Sequence, residues 1–228
     1  MRTDTTTLKA ILWDMDGTLI DSEPMWIDSE RELMAGFGYN WRKIDGDFCL
    51  GGPLSRVCRY MKEKSGSDLP EEWFGNELVA SMTGKISSGV SFMPGAYELL
   101  MQAQELRISQ ALISASDRPI VDLVLNANPG IFSFAIAAGD LPRTKPDPLP
   151  YLEAARRFEL DPMDCLVVED SKVGVTAGQA SGALVLALAH FQEIPHASNI
   201  FIRSGLEDVS IDQLKELHES WRRVGVVS

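Results

Sequence analysis

The stretch "AILWDMDGTLIDSEPMW", residues 10–26, passes from an apolar run to Asp14 and Asp16, one residue apart, then to a glycine and two further acids. Residues two apart on an extended chain share a face, and the chain just beyond a strand end is a common place for binding groups. Asp14 and Asp16 can therefore reach one site. An Asp-Gly pair alone is also an ordinary turn, so the weight of these two carboxylates depends on what the rest of the chain places beside them.

Outward from this stretch, "KAILWD" (9–14), "SQALISA" (109–115), "FAIAAGD" (134–140) and "DCLVVED" (164–170) have the length and aliphatic character of buried parallel strands, and "ALVLALA" (183–189) adds a fifth. Helical patterns lie between them, over 95–106 after Pro94, 117–127 after Ser116 and 148–159 after a proline-rich turn. Alternating strand and helix predicts a parallel α/β sheet. Three runs end in acids, Asp14, Asp140 and Glu169-Asp170, and another ends near the hydroxyls of Ser114 and Ser116. Ligands of open α/β sheets bind at the carboxyl ends of strands, where these segments can converge.

Residues 20–92 break the alternation. "SEPMWIDSERELMAGFGY" has an amphipathic pattern with Trp26, Ile27, Leu33, Met34 and Phe37 as the inward stripe, and helical stretches follow around 53–64 and 70–88. The expected organisation is a core formed by residues 1–19 and 93–228, with a helical unit of residues 20–92 inserted after the first strand. The connections at 19–22 and 90–95 are expected to act as hinges. "SIDQLKELHESWRRV" closes the chain as a helix capped by Ser210.

Bulk properties narrow the function classes. With 228 residues, 45% hydrophobic and 24% charged, the composition is that of a packed globular chain. The 33 acidic against 21 basic residues give a net charge of −12, which opposes binding to nucleic acid or anionic membranes. No run approaches a membrane span, and "MRTDTTTLK" lacks the apolar segment of a signal peptide, so a cytoplasmic location is the expectation. Cys49, Cys58 and Cys165 form no CxxC pair and read as reduced packing residues. No protein partner can be inferred.

The string "DMDGTLIDSE" resembles the first motif of the haloacid dehalogenase superfamily of phosphatases and phosphomutases. Ser114, ending "ALIS", resembles the second motif; Lys145 in "TKPDP" the third; "VVEDSKVGVTAGQASG" the fourth. The four follow in order from residue 10 to about 190. The insertion resembles the helical C1 cap of the β-phosphoglucomutase-like and sugar-phosphatase branch, over a Rossmann-like core. "KPDPLP" departs slightly from the usual KPxPD spacing.

The resemblance implies Asp14 as nucleophile forming an aspartyl phosphate, Asp16 as acid and base, Ser114 on a phosphoryl oxygen and Lys145 bridging that charge to the nucleophile's. Backbone N–H groups following Asp14, at Gly17 among others, complete a phosphate cradle. Mg²⁺ is the implied cofactor, held by Asp14, the backbone carbonyl of Asp16, Asp170 and Glu169. Hard oxygen donors without clustered His or Cys suit that ion. A carboxylate approaching a phosphate dianion meets roughly 8 kcal/mol of repulsion at about 4 Å and an effective dielectric of ~20, which cations must offset. With Asp16 protonated, Asp14, Glu169 and Asp170 are balanced by Lys145 and one divalent ion.

Substrate choice falls to the insertion. Gly51 and Gly52 allow a helix start to approach a ligand, Arg56 can reach a substrate hydroxyl or second phosphate, and Glu23 and Trp26 lie where the chain enters the insertion; Ser116, at its strand end, is a further candidate substrate contact. The expected function is a Mg²⁺-dependent phosphatase acting on a small phosphorylated metabolite, a sugar or polyol phosphate. The alternatives are a phosphohexomutase and a catalytically silent binding module. The mutase branch carries a histidine near the position of Trp26, whereas His190, His196 and His218 all lie far downstream.

Overall fold

The computed structural model describes residues 8–49, 53–189, 194 and 196–225. The described residues form a six-stranded sheet, all parallel, in the order β3-β2-β1-β4-β5-β6. The strands are β1 (Ala10–Trp13), β2 (Ser109–Asp117), β3 (Phe134–Ala138), β4 (Cys165–Glu169), β5 (Leu184–Leu188) and β6 (Ile200–Arg203). β6 was not expected: "IFIR" is four residues long and half-exposed at the sheet edge, so it lacks the continuous apolar run that marks the inner strands.

Side-chain alternation along the strands divides the core into two layers. Ile11, Trp13, Leu112, Leu166 and Val168 face α5 (Ala96–Glu105) and α9 (Ile211–Gly225). Ala10, Leu12, Ile113, Val167 and Val185 face α7 (Leu149–Arg157) and α8 (Lys172–Ser181). α6 (Arg118–Ala127) packs Ile120, Val121 and Val124 into the first layer. α9 begins with a reciprocal box: the Gln213 N–H donates to Ser210 Oγ at 3.3 Å, and the Ser210 N–H to Gln213 Oε1 at 2.9 Å.

Between β1 and α5 lie α1 (Glu23–Ala35), α2 (Lys43–Cys49), α3 (Leu54–Ser65) and α4 (Glu71–Ser87). They share a cluster of their own, with Met34, Trp41, Val57, Met61, Phe74 and Leu78 buried in it. Met82 and Ile86 of α4 instead join the first core layer, so the insertion is keyed into the sheet domain at one end. Its two connections pair with each other: the Asp21 N–H donates to the Ser91 carbonyl at 2.9 Å and the Met93 N–H to the Leu19 carbonyl at 2.8 Å. α2 was not expected from "KIDGDFC", which has a central glycine and poor helix formers. Buried Asp45 anchors it, accepting from Tyr39, Tyr60 and the Arg42 N–H. All three cysteines are buried free thiols.

Candidate active site

The chain leaves β1 and returns first beside it as β2, later on its other side as β4, so the sheet order reverses at β1. This reversal opens a crevice at the carboxyl ends of three adjacent strands. Asp14, whose N–H donates to the Val168 carbonyl at 3.0 Å, stands at its centre.

Lys145 reaches into this crevice from the loop before α7 and is almost wholly buried. Its ammonium donates to Asp14 Oδ1 at 2.6 Å, Glu169 Oε1 at 2.6 Å and the Ile113 carbonyl at 2.7 Å, so each of its three hydrogens has an acceptor. Burial alone would lower its pKa, but the carboxylates of Asp14 and Glu169 outweigh burial and hold the ammonium well above its ordinary range. Glu169 Oε1 also accepts from the Tyr151 hydroxyl at 2.9 Å, while Oε2 accepts from the N–H and hydroxyl of Ser171 at 3.1 and 3.0 Å. Its lone pairs are thereby occupied. α8 can start this close because residue 174 is glycine: a Cβ there would collide with the Glu169 carboxylate.

Oxygens of Asp14, Glu169 and Asp170 lie within 4.8 Å of one another. Burial first, and then the charge of Glu169, pushes Asp14 well above the usual carboxylate range and Asp170 up to about 8. Such a cluster calls for a cation. The carboxylates of Asp14 and Asp170, hard oxygen donors with no sulfur or imidazole beside them, fit Mg²⁺, with Glu169 behind them engaged by Lys145, Tyr151 and Ser171. Asp14 and Asp170 both keep spare capacity, Asp14 accepting from Lys145 and Asp170 from the Thr18 hydroxyl at 3.2 Å. Gly17, at φ +77°, lets the loop pass against Asp170, where any Cβ would clash.

Asp16 has different company. Its Oδ2 accepts from Ser116 Oγ at 2.7 Å and lies 3.4 Å from Ser114 Oγ; its Oδ1 accepts from Ser22 Oγ at 2.6 Å and the Trp26 indole at 3.3 Å. Ser22 occupies the N-cap position of α1 but gives its hydroxyl to Asp16 instead of capping the helix. A local rule of helix capping is set aside to orient a site carboxylate.

A cavity of about 600 Å³ lies between these strand ends and the insertion. Asp14, Asp16, Gly17, Glu23, Ser116, Lys145 and Asp170 line it, as does Trp26. Ser114 and Glu169 sit just behind. Arg56 does not line it; the guanidinium donates to the Phe48 and Cys49 carbonyls at 2.8 and 3.3 Å and stacks over Phe48. The C-terminal carbonyls of α2 attract this cation, and Ser55 lines the cavity instead. Gly52 lies outside the described residues.

Sequence reasoning missed Ser22, Thr18, Tyr151 and Ser171. Ser171 was legible as an N-cap after the strand-end acids, since it accepts from the Gly174 N–H at 3.0 Å. It also missed Glu30, an acid inside the apolar stripe of α1 that is buried against the cavity and accepts from the Trp41 indole at 3.1 Å. Burial pushes Glu30 up to about 7, with the Trp41 bond pulling down and Glu23 adding a small rise.

Residues 11–188 match the family described as haloacid dehalogenase-like hydrolase. The chain belongs to that family. It is 30% identical over 215 residues to hexitol phosphatase B of Escherichia coli K12, covering 91% of this chain and 93% of that protein. It is 28% identical over 189 residues to the bifunctional riboflavin kinase/FMN phosphatase of Arabidopsis thaliana; the match takes in 82% of this chain and only 50% of that protein. Among solved structures, CbbY from Rhodobacter sphaeroides in complex with xylulose-(1,5)bisphosphate superposes with a TM-score of 0.78 at 20% identity, over 91% of this chain and 99% of that one. β-Phosphoglucomutase from Clostridium difficile gives 0.78 at 19% identity, over 94% and 98%. The chain shares the Rossmann-like α/β fold of these structures, and the family makes it a haloacid dehalogenase-like hydrolase.

Proposed function

We propose that this hydrolase is a Mg²⁺-dependent phosphatase that cleaves a small sugar or polyol phosphate through an aspartyl phosphate on Asp14. The observation that carries the reading is the division of labour between the two aspartates. Asp14 is fixed from behind by Lys145 among the buried acids, and Asp16 is held in front by four donors at the cavity wall. A nucleophile needs a fixed, charge-compensated position, and a proton carrier needs access to the leaving oxygen.

Asp14 attacks phosphorus in line, and Asp16 gives its proton to the departing oxygen. Asp16 then takes a proton from the water that releases phosphate. Ser114 and the N–H groups of the loop after Asp14 receive the phosphoryl oxygens, and Lys145 reaches one of them by exchanging one of its three bonds. Mg²⁺, when bound, would be held by Asp14, Asp170 and the Asp16 carbonyl, and would neutralise phosphoryl charge; Glu169 enters mainly by fixing Lys145. The mutase reading is disfavoured by Trp26, because the indole N–H beside Asp16 can donate but cannot take up a proton.

Phosphate release from sugar and polyol phosphates tests this, with Mg²⁺, with a chelator, and with Asp14→Asn. Release that needs Mg²⁺ and is lost in the variant supports the proposal. Turnover that survives Asp14→Asn, or isomerisation without net phosphate release, contradicts it.

A further inference from the structure

Glu23, Trp26, Ile27 and Glu30 all line the cavity and fall at helical spacing on one stripe of α1. Trp26 is tied to Asp16. Glu30 lies one turn farther on, about 6 Å along the axis at 1.5 Å per residue. A group leaving from phosphorus next to Asp16 therefore extends along this stripe toward the Glu30 carboxyl. One oxygen of that carboxyl is fixed by Trp41, itself buried in the core of the insertion.

Above about pH 7, where Glu30 has released its proton, the charge along this path is of one sign. Glu23, Glu30, Glu71 and Glu72 line the part of the cavity formed by the insertion, and among the described lining residues the single cation is Lys145, at the opposite end and already engaged. Arg59, 3.7 Å from Glu71, is turned mostly to solvent, and Arg56 is committed to the end of α2. A second phosphate on the substrate would face carboxylates without a compensating charge. Hydroxyls suit the same surface: carboxylates accept from them, Asn76 and Ser55 add neutral polar contacts, and Trp26 offers a flat apolar side to C–H groups.

We propose that Glu30 is a specificity-determining residue that accepts a hydroxyl hydrogen of the leaving group, so that this cavity selects monophosphates with an uncharged, polyhydroxylated leaving group over bisphosphates. The proposal rests on the phosphatase reading and names the substrate class of that same site. Trp41 is a positioning residue that acts through Glu30.

The test is kcat/KM in Mg²⁺ at about pH 8, where Glu30 is ionised, for three substrates: a hexitol 6-phosphate, fructose 1,6-bisphosphate and p-nitrophenyl phosphate, which has no hydroxyl to offer. Wild type, Glu30→Ala, Glu30→Gln and Trp41→Phe are compared, with circular dichroism confirming the fold of each. We expect wild type to prefer the hexitol monophosphate over the bisphosphate. Loss of a hydrogen bond to a charged group corresponds to a decrease of about tenfold or more in the hexitol-to-nitrophenyl ratio for Glu30→Ala. Glu30→Gln and Trp41→Phe should shift the ratio in the same direction by less. An unchanged ratio in both Glu30 variants, or a wild-type preference for the bisphosphate, overturns the inference while leaving the phosphatase reading intact. Absence of turnover on all three substrates fails the phosphatase reading itself, and the inference with it.

Discussion

The strand-end half of the cavity and the half lined by the insertion are built on opposite terms. At the strand ends Lys145 has three acceptors, Glu169 four donors and Asp16 up to four, so the positions of the reacting groups are over-determined. On the insertion side, the acids at Glu23 and Glu30 are buried or half-buried with no cation among the described lining residues of that half, and Glu30 is fixed at one oxygen by one indole. Chemistry tolerates little displacement, so its groups are locked by mutual bonds. Recognition needs groups left able to bond the ligand.

The sharpest break in that comparison comes from Asp14→Asn. It keeps the shape of the site and removes the nucleophile, and we expect phosphate release to fall by roughly 10³-fold or more. Lys145→Ala comes next, because it leaves Asp14 and Glu169 buried without their cation. A stability loss of roughly 3–5 kcal/mol in urea denaturation is expected. Removing Lys9, which pairs with Asp164 at 2.7 Å while half-exposed, should cost about 1 kcal/mol or less in the same assay. Similar losses for the two lysines would contradict the picture of a locked strand-end half.

Glu30 gives a pH signature specific to the insertion side. Its folded value of about 7 lies above the ordinary 4.5, so between these limits the folded chain keeps a proton that the unfolded chain has released. Stability therefore falls as pH rises through that window, by up to roughly 3 kcal/mol. Glu30→Gln removes the titration, so the variant should gain on wild type from pH 4.5 to 7 in parallel denaturation curves. A constant difference would show that Glu30 does not titrate in this range. A small effect on turnover is expected of Trp26→Phe, which removes one donor of several to Asp16. A several-fold decrease in kcat, equivalent to about 1 kcal/mol, with little change in stability would match its role.

Much of the strand-end half was legible because its residues sit where the periodicity changes. Asp14, Ser114 and Glu169-Asp170 each mark the end of an apolar run, and the topology of a parallel sheet brings such ends together. Lys145 had no such local mark and was found through motif order. The support behind them was not legible: Tyr151 reads as one more apolar position on α7, and Ser22 reads as a helix cap, because what each contacts is decided by packing across more than one element. The insertion was legible as helices but not as a surface. Arg56 has the chemistry of a ligand contact, yet lies beside helix carbonyls that compete for it, whereas Glu30 was concealed by the apolar stripe around it.

The most direct measurement is to quench the enzyme with acid during turnover of a hexitol 6-phosphate, reduce with borohydride and sequence the peptides by mass spectrometry. A phosphoryl group carried by Asp14 makes that side chain reducible, so we expect homoserine at position 14, lost when substrate is exhausted before quenching and absent in Asp14→Asn. Active turnover with Asp14 unmodified, or with the modification at Asp16 or another carboxylate, would contradict the assignment of Asp14 as the nucleophile.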